Sequence, residues 1–471
     1  MSAIVLVAAN EARRLWRERL ARTLGLLGLG LMLLSLLIGV VRDAQTAQRQ
    51  ADYAARAEAD WQAQPDRHPH RVVHAGDFVF KTPGPLARLD WGVESQVGRS
   101  VFLEGHRQNT ANFSDAALSG GLLRLGDLSP SIVIQQWLPL LMLLAGAAGV
   151  AGERQSGALA ASLIGGARGA ALLLGKAAAL FGFGLLMAAP AALVLLWSAV
   201  SDPALAARAL GLGGTFAAVL ALAALGTVLL SSMARSVLAA LLVGIVAWFA
   251  LTSVAPRAAA ALAELMHPAP SQAEVERRTA LALAAVGDAH DPDSAPFAAF
   301  RQRVLDEYGV DRVEDLPVNF GGLVMLEGER LTTAAIGAEV DRQRDAWAAQ
   351  QRLVAALGWA LPTLAARDAA QALAGTDLAH HRQFLDQAER RRFATVQALN
   401  HLHATEIAAL NDREQKLDAS RWGEIPRPDF ALPALREAAP SLPASLAALA
   451  LWLLLGLIAL IVVGRRLERR A

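Results

Sequence analysis

Residues Leu128 to Gly152 read LSPSIVIQQWLPLLMLLAGAAGVAG, and residues Ala177 to Ser201 read AAALFGFGLLMAAPAALVLLWSAVS, without an Asp, Glu, Lys or Arg in either run. Each is long enough to cross the hydrocarbon core of a bilayer, which takes about 20 residues. Four further stretches share this character: Thr23–Val41, Ala209–Ala234, Ser236–Pro256 and Ala438–Gly464. They are apolar on every face and lack the alternation of barrel strands, so each predicts one helix. The expected fold class is an all-α polytopic membrane protein with six transmembrane helices. Composition agrees, with 54% hydrophobic and 18% charged residues against about a quarter charged in soluble proteins. Gly25, Gly28, Gly30, Gly182, Gly184, Gly211, Gly213 and Gly214 would let these helices approach closely, since packing drives association in lipid.

The link between the two quoted runs, residues 153–176, reads ERQSGALAASLIGGARGAALLLGK. It predicts a short Ala- and Leu-rich helix within Ser156–Ala167, too short to span and bracketed by charge. Such a helix suits a groove on a cytosolic partner. Basic residues beside spans stay in the cytoplasm. Arg13, Arg14, Arg17, Arg19 and Arg22 precede the first span, and Arg154, Arg168 and Lys176 lie between the second and third. Arg235 separates the fourth and fifth; Arg465, Arg466, Arg469 and Arg470 follow the sixth. Six spans put all four groups on one side, with both termini cytoplasmic and residues 465–471 as a tail. Residues 1–22 then read as an interfacial helix whose arginines meet lipid phosphates while Ile4, Leu6, Trp16 and Leu20 enter the headgroup layer.

Two segments remain for the far side, 42–127 and 257–437. In the first, Ala44–Ala63 continues the helix of the first span until Pro65, and Arg71–Phe80 and Arg99–Gly105 read as short strands. This is the smaller, mixed α/β outer segment. The second is mainly helical, with helices expected at Ala273–Val286, Pro296–Tyr308, Thr332–Ala356 and Leu378–Leu410. Breaks fall at Asp291-Pro292, Gly309, Leu316–Gly322 and Gly358–Pro362. Thr376 or Asp377 caps the last helix. With no flexible linker, this domain is expected to be rooted on the fifth and sixth spans.

A net charge of +1 supplies no field for nucleic acid, which is not expected as a partner. Cysteine is absent, so disulfides and thiolate chemistry are excluded. His68, His70 and His74 lie in one outer loop, and His380, His381, His401 and His403 in the other segment. Neither set shows a His-Glu-x-x-His spacing, and His401 and His403 point to different helix faces, so they read as solvated or capping groups and no metal site is assigned. No Gly-x-Ser-x-Gly elbow occurs, and Gly169…Gly175-Lys176-Ala177 departs from a P-loop in spacing and in lacking the magnesium-binding hydroxyl. No catalytic residue is assigned, and the chain is read as not an enzyme. The span interiors hold no ionisable group of the kind secondary transporters use. Gln135, Gln136, Ser198, Thr215 and Thr227, with Ser35 and Thr252, are the polar groups available to line a path or to bond neighbouring helices.

At the 153–176 link the chain resembles the permease subunits of ABC-2-type transporters, which share a Glu-Arg-x-x-Gly-x-Leu segment, a small apolar helix, an Arg and a Gly-Lys. Glu153, Arg154, Gly157, Leu159, Arg168, Gly175 and Lys176 carry that likeness. The segments between spans resemble a bacterial subgroup grouped with the copper-enzyme-maturation permeases and carrying a domain of unknown function. The matching stretches are His74–Phe80, Leu316–Gly322 with Asn319, and Ala374–His381 with Gly375, Thr376, Asp377, His380 and His381, followed by Phe384, Glu389, Arg391 and Asn400. Leu361-Pro362 stands where the subgroup has Ser-Pro, at a helix start where proline is welcome.

The resemblance implies an exporting permease of the bacterial inner membrane, driven by a cytosolic ABC ATPase subunit. It implies pairing as a homodimer or with a second related permease, in contact with membrane lipid and able to meet a periplasmic partner. No cofactor is implied on this chain, ATP and magnesium belonging to the ATPase. The alternative is a mechanotransmission or scaffold subunit that carries no solute and acts on an outer partner through residues 257–437.

Overall fold

Ser2 opens the first helix, α1 (Ala3–Arg17), by accepting a hydrogen bond from the Val5 N–H. Glu18 is extended, and α2 (Arg19–Gln62) follows at once. The computed structural model describes residues 2–112, 127–287, 294–428, 430–431, 435 and 439–469. At 1.5 Å per residue the 44 residues of α2 reach about 66 Å, roughly twice a bilayer's hydrocarbon core. Its second half therefore rises beyond any membrane its first half crosses.

After α2 come a short helix α3 (Pro69–Ala75) and two antiparallel strands, β1 (Asp77–Phe80) and β2 (Ser100–Leu103), with Asp77 opposite Leu103. This corrects the strand expected over Arg71–Phe80, whose first half, with His74, is helical. Pro69 at the first helical position and the His68 ring accepting the His70 N–H start a helix there, leaving only Asp77–Phe80 extended.

Next are α4 (Pro130–Gln155), α5 (Ala158–Ile164), α6 (Gly169–Ser201), α7 (Ala206–Met233) and α8 (Val237–Met266). Both α4 and α8 widen to a π turn, at Val133–Trp137 and Ala250–Val254, each ending two residues before a proline, Pro139 and Pro256. A proline lacks the N–H that an α turn needs, and the wider turn relieves its clash with the preceding carbonyls. The chain continues as α9 (Gln272–Val286), α10 (Ala295–Tyr308), α11 (Phe320–Leu357), α12 (Pro362–Ala374), α13 (Leu378–Glu406) and α14 (Leu442–Glu468). The expected break at Asp291-Pro292, the span boundary at Ala438 and the tail residue Arg470 lie outside the described residues.

Among the described residues six helices are long and apolar enough to cross a membrane: α2, α4, α6, α7 with the turn before it, α8 and α14. Their shared core includes Met32, Ile134, Leu138, Met142, Leu180 and Leu220. Large apolar side chains such as Leu26, Trp197, Leu238 and Leu454 stand exposed on the outside of the same helices. Water penalises such a surface and hydrocarbon does not. Of the glycines expected at helix crossings, Gly28 and Gly184 lie against Met187 and Met142, whereas Gly30, Gly182 and Gly214 face open space.

The two segments between spans form one packed body. Trp61, Val72 and Val73 share a core with Val396, Leu399, Trp422 and Ile425, and Val79, Val101 and Leu103 share another with Phe384 and Ala388. The helical segment meets the fifth and sixth spans, as expected, and the fourth as well. Its Ala-rich helix α12, buried at Ala365, Ala366, Ala369 and Ala370, packs on the fourth and sixth spans, α7 and α14, while α8 runs on to meet α11. Small side chains let α12 lie close against two neighbours at once.

Candidate coupling site

The turn joining α4 to α6 is built on glycine. Gly157 has φ +79°, the left-handed region, and starts α5; Gly166 at φ +89° follows it. Leu159 is 5% exposed and anchors α5, while Ala160, Ala161, Ser162 and Ile164 face outward, Ile164 at 75%. Apart from Ser162, this outward face is apolar.

The charged residues beside this helix reach different neighbours. Lys176, buried near the start of α6, donates to Glu153 Oε1 at 2.6 Å and to Glu11 Oε2 of α1 at 3.0 Å. Arg14 donates to Glu11 at 2.6 and 3.0 Å. Burial alone would lift the Glu11 carboxyl, yet Arg14 and Lys176 hold it below its usual range. A Cβ placed on Gly175 would lie 2.6 Å from Val7 Cβ and 2.8 Å from Ile4 O, so glycine is what lets α1 lie on α6. Arg154 turns the other way, donating to the Ser232 carbonyl at 2.5 Å and to the Ala234 carbonyl, the free C-terminal carbonyls of α7. Ser231 accepts from the Val150 and Ala151 N–H groups at 3.0 and 2.9 Å and donates to the Ala147 carbonyl at 2.6 Å. Arg168 is exposed just before α6, whose first N–H, on Gly169, donates to Glu468 of α14 at 2.5 Å. The end of α4 beside α5 is thus tied through Glu153 and Lys176 to α6 and α1, and through Arg154 to α7.

The polar span residues divide. Gln135, Gln136, Thr227 and Thr252 line a mostly apolar cavity of about 460 Å³ among α4, α7, α8, α12 and α14, with Trp248 and Trp452 on its wall. Ser198 and Thr215 do not line it; their hydroxyls donate to Val194 and Gly211 carbonyls of their own helices, as Ser35 does to Met32.

The Gly375-Thr376-Asp377 stretch is a junction. Gly375, at φ +76°, ends α12, and Asp377 caps α13 by accepting the His380 N–H at 2.9 Å. His380 Nδ1 lies 2.5 Å from Asp377 Oδ1, and its Nε2 faces Arg208 of α7 at 3.4 Å. Arg208 also donates to the Ala372 and Leu373 carbonyls, a cation at a helix C-terminus. The Thr376 carbonyl accepts from the Val93 N–H at 2.9 Å and touches Gly92, tying in the first segment. Burial, with Lys81 nearby, pushes His381 down to about 3. Asn319 caps α11 and donates to Asp412 at 2.7 Å and to the Ile407 carbonyl; Asn400 donates to the Met325 carbonyl. These side chains hold elements together.

Sequence reasoning missed Glu11, Arg208, Glu329 and Glu468. The partners that give them their roles lie 63 to 299 residues away in sequence, beyond the reach of local pattern. Glu329 is fully buried between Arg392 and His106; burial would raise it, but these partners bring it down to about 2.

Fold and site together define a helical protein with six membrane-length helices and a packed helical body between them. Residues 271–431, from α9 through α13, match the family model described as a domain of unknown function (DUF3526). Searches of the curated proteins and of the solved structures return no match.

Proposed function

We propose that this chain is the membrane subunit of an ABC-2-type transporter of the bacterial inner membrane, an exporter driven by a separate cytosolic ATPase. The observation that carries the proposal is the bracketed helix α5: an outward apolar face whose flanking Glu153 and Arg154 lead to α1, α6 and α7. A force applied there by nucleotide-driven closure of the ATPase tilts α4 and α6 against α7 and reshapes the cavity lined by Gln135, Gln136 and Thr227. The grouped arginines beside the spans favour the arrangement in which both termini and α5 are cytoplasmic. A paired second subunit, identical or related, completes the path.

The packing of α12 on α7 and α14 favours a second reading. Motion of these helices passes directly into the body containing residues 271–431, as a subunit that works on a periplasmic partner without moving solute requires.

Ile164→Asp, on the exposed face, tests the first reading with the chain co-expressed with a candidate cassette ATPase. Co-purification and stimulated ATPase activity fall by about tenfold or more, as for loss of an interface anchor. Unchanged values with a folded variant contradict the proposal.

A further inference from the structure

Two groups of imidazoles lie in the body between the spans. His68, His403 and Asp412 form the first, with His68 Nε2 and His403 Nε2 at 3.0 and 2.9 Å from the carboxylate. Asn319 donates to the same carboxylate, and His68 Nδ1 accepts the His70 N–H. That group closes on itself and fastens α3 to α13 and α11.

The second group has a different construction. His70 and His74 stand one turn apart on α3 with their Nε2 atoms 3.2 Å from each other. Two ligands on a tetrahedral zinc at the usual Zn–N length lie about 3.3 Å apart. His106 brings a third ring from the turn after β2, its centroid 5.5 Å from that of His74 and 6.0 Å from that of His70. One nitrogen of each ring lies within 4.8 Å of the others. The backbone of His106 is left-handed, φ +61°, a conformation a non-glycine residue adopts at a cost. It is held there by Glu329 Oε2, which accepts the His106 N–H at 3.1 Å and lies 3.1 Å from His106 Nδ1. Arg392 and Thr333 hold Glu329 in turn. An imidazole that donates its Nδ1–H in a hydrogen bond to a carboxylate leaves Nε2 as the ligand nitrogen. This carboxylate–histidine relay is how metal-binding imidazoles are oriented. His74 is exposed and the other two are half-buried, so a fourth position is open to water.

We propose that His70, His74 and His106 bind one late first-row divalent cation of the zinc type, with Glu329 orienting His106. Three imidazoles and no thiolate suit zinc, nickel or copper(II) above magnesium or calcium. The site is independent of the transport reading.

The test uses the full chain in detergent, stripped with chelator and titrated with Zn²⁺. Wild type is expected to take up one equivalent and to show nitrogen scatterers at the usual Zn–N distance by X-ray absorption. His74→Ala, an exposed change, is expected to weaken uptake by tenfold or more, and Glu329→Gln by about tenfold, in the range seen for outer-shell partners. The exposed His401→Ala serves as control and leaves binding unchanged. Equal affinity in wild type and His74→Ala overturns the proposal. So does a loss confined to His403→Ala, which places the cation in the other group, and so does an absence of stoichiometric uptake by folded wild type.

Discussion

Lys176 sits where three elements meet, and its neighbours determine what its loss does. Lys176→Met leaves Glu11 with Arg14 alone and Glu153 without its buried donor. Breaking a fully buried ion pair costs about 3–5 kcal/mol; because Arg14 remains, about 2 kcal/mol is expected here, read as a lower midpoint of thermal unfolding in detergent. Two other residues set a response to acid. His381 is held down to about 3 against an ordinary 6.5, so the unfolded chain binds its proton first and stability falls as pH drops from 6.5 toward 3. Glu329 is held at about 2 against 4.5, so its contribution is complete above 4.5 and is lost as pH falls toward 2. Unfolding midpoints measured between pH 7 and 4.5 should therefore flatten in His381→Gln, while Glu329→Gln alters the profile only below about 4.5. A wild-type midpoint independent of pH across 4.5–7 contradicts the first of these.

Among the elements, spans were the most readable, because absence of charge over a membrane's thickness needs no knowledge of tertiary contacts. The helices at Gln272–Val286 and Ala295–Tyr308 begin one residue from where apolar spacing put them. α11 begins at Phe320 and not at Thr332, because Gly321, Gly322, Gly328 and the charges at Glu327, Glu329 and Arg330 blur the helical pattern. Asn319 starts that helix through a bond to the Gly321 N–H. Local pattern could not show that Glu329 is neutralised by Arg392, sixty-three residues on. The imidazole group was hidden for the same reason: His70 and His74 share a face only once Pro69 makes their segment helical, and His106 joins through the fold. Of the coupling residues, Glu153, Arg154 and Lys176 were legible and their partners were not. At this scale the Arg208–His380–Asp377 junction should hold α7 to the α12–α13 turn. Arg208→Leu is expected to open residues 362–381 to amide hydrogen exchange by about tenfold, equal to roughly 1.4 kcal/mol of local stability, while leaving α9 unchanged. Uniform change across the whole body contradicts a local clamp.

For the whole molecule, exposed large apolar side chains on α2, α6, α8 and α14 suit a hydrocarbon surround, and α2 and α8 run on from their apolar stretches into the two long inter-span segments. The packed body is joined by α12 to α7 and α14, and α5 follows Glu153 and Arg154 in the turn between α4 and α6. The proposal that force enters at α5 requires these to face opposite compartments. The chain has no cysteine, so Ile164→Cys and, separately, Leu281→Cys on α9 each introduce one thiol at an exposed position. With a membrane-impermeant maleimide on spheroplasts, Leu281→Cys should label at once and Ile164→Cys only after the membrane is opened. Labelling of Ile164→Cys in sealed spheroplasts puts α5 outside and contradicts the account.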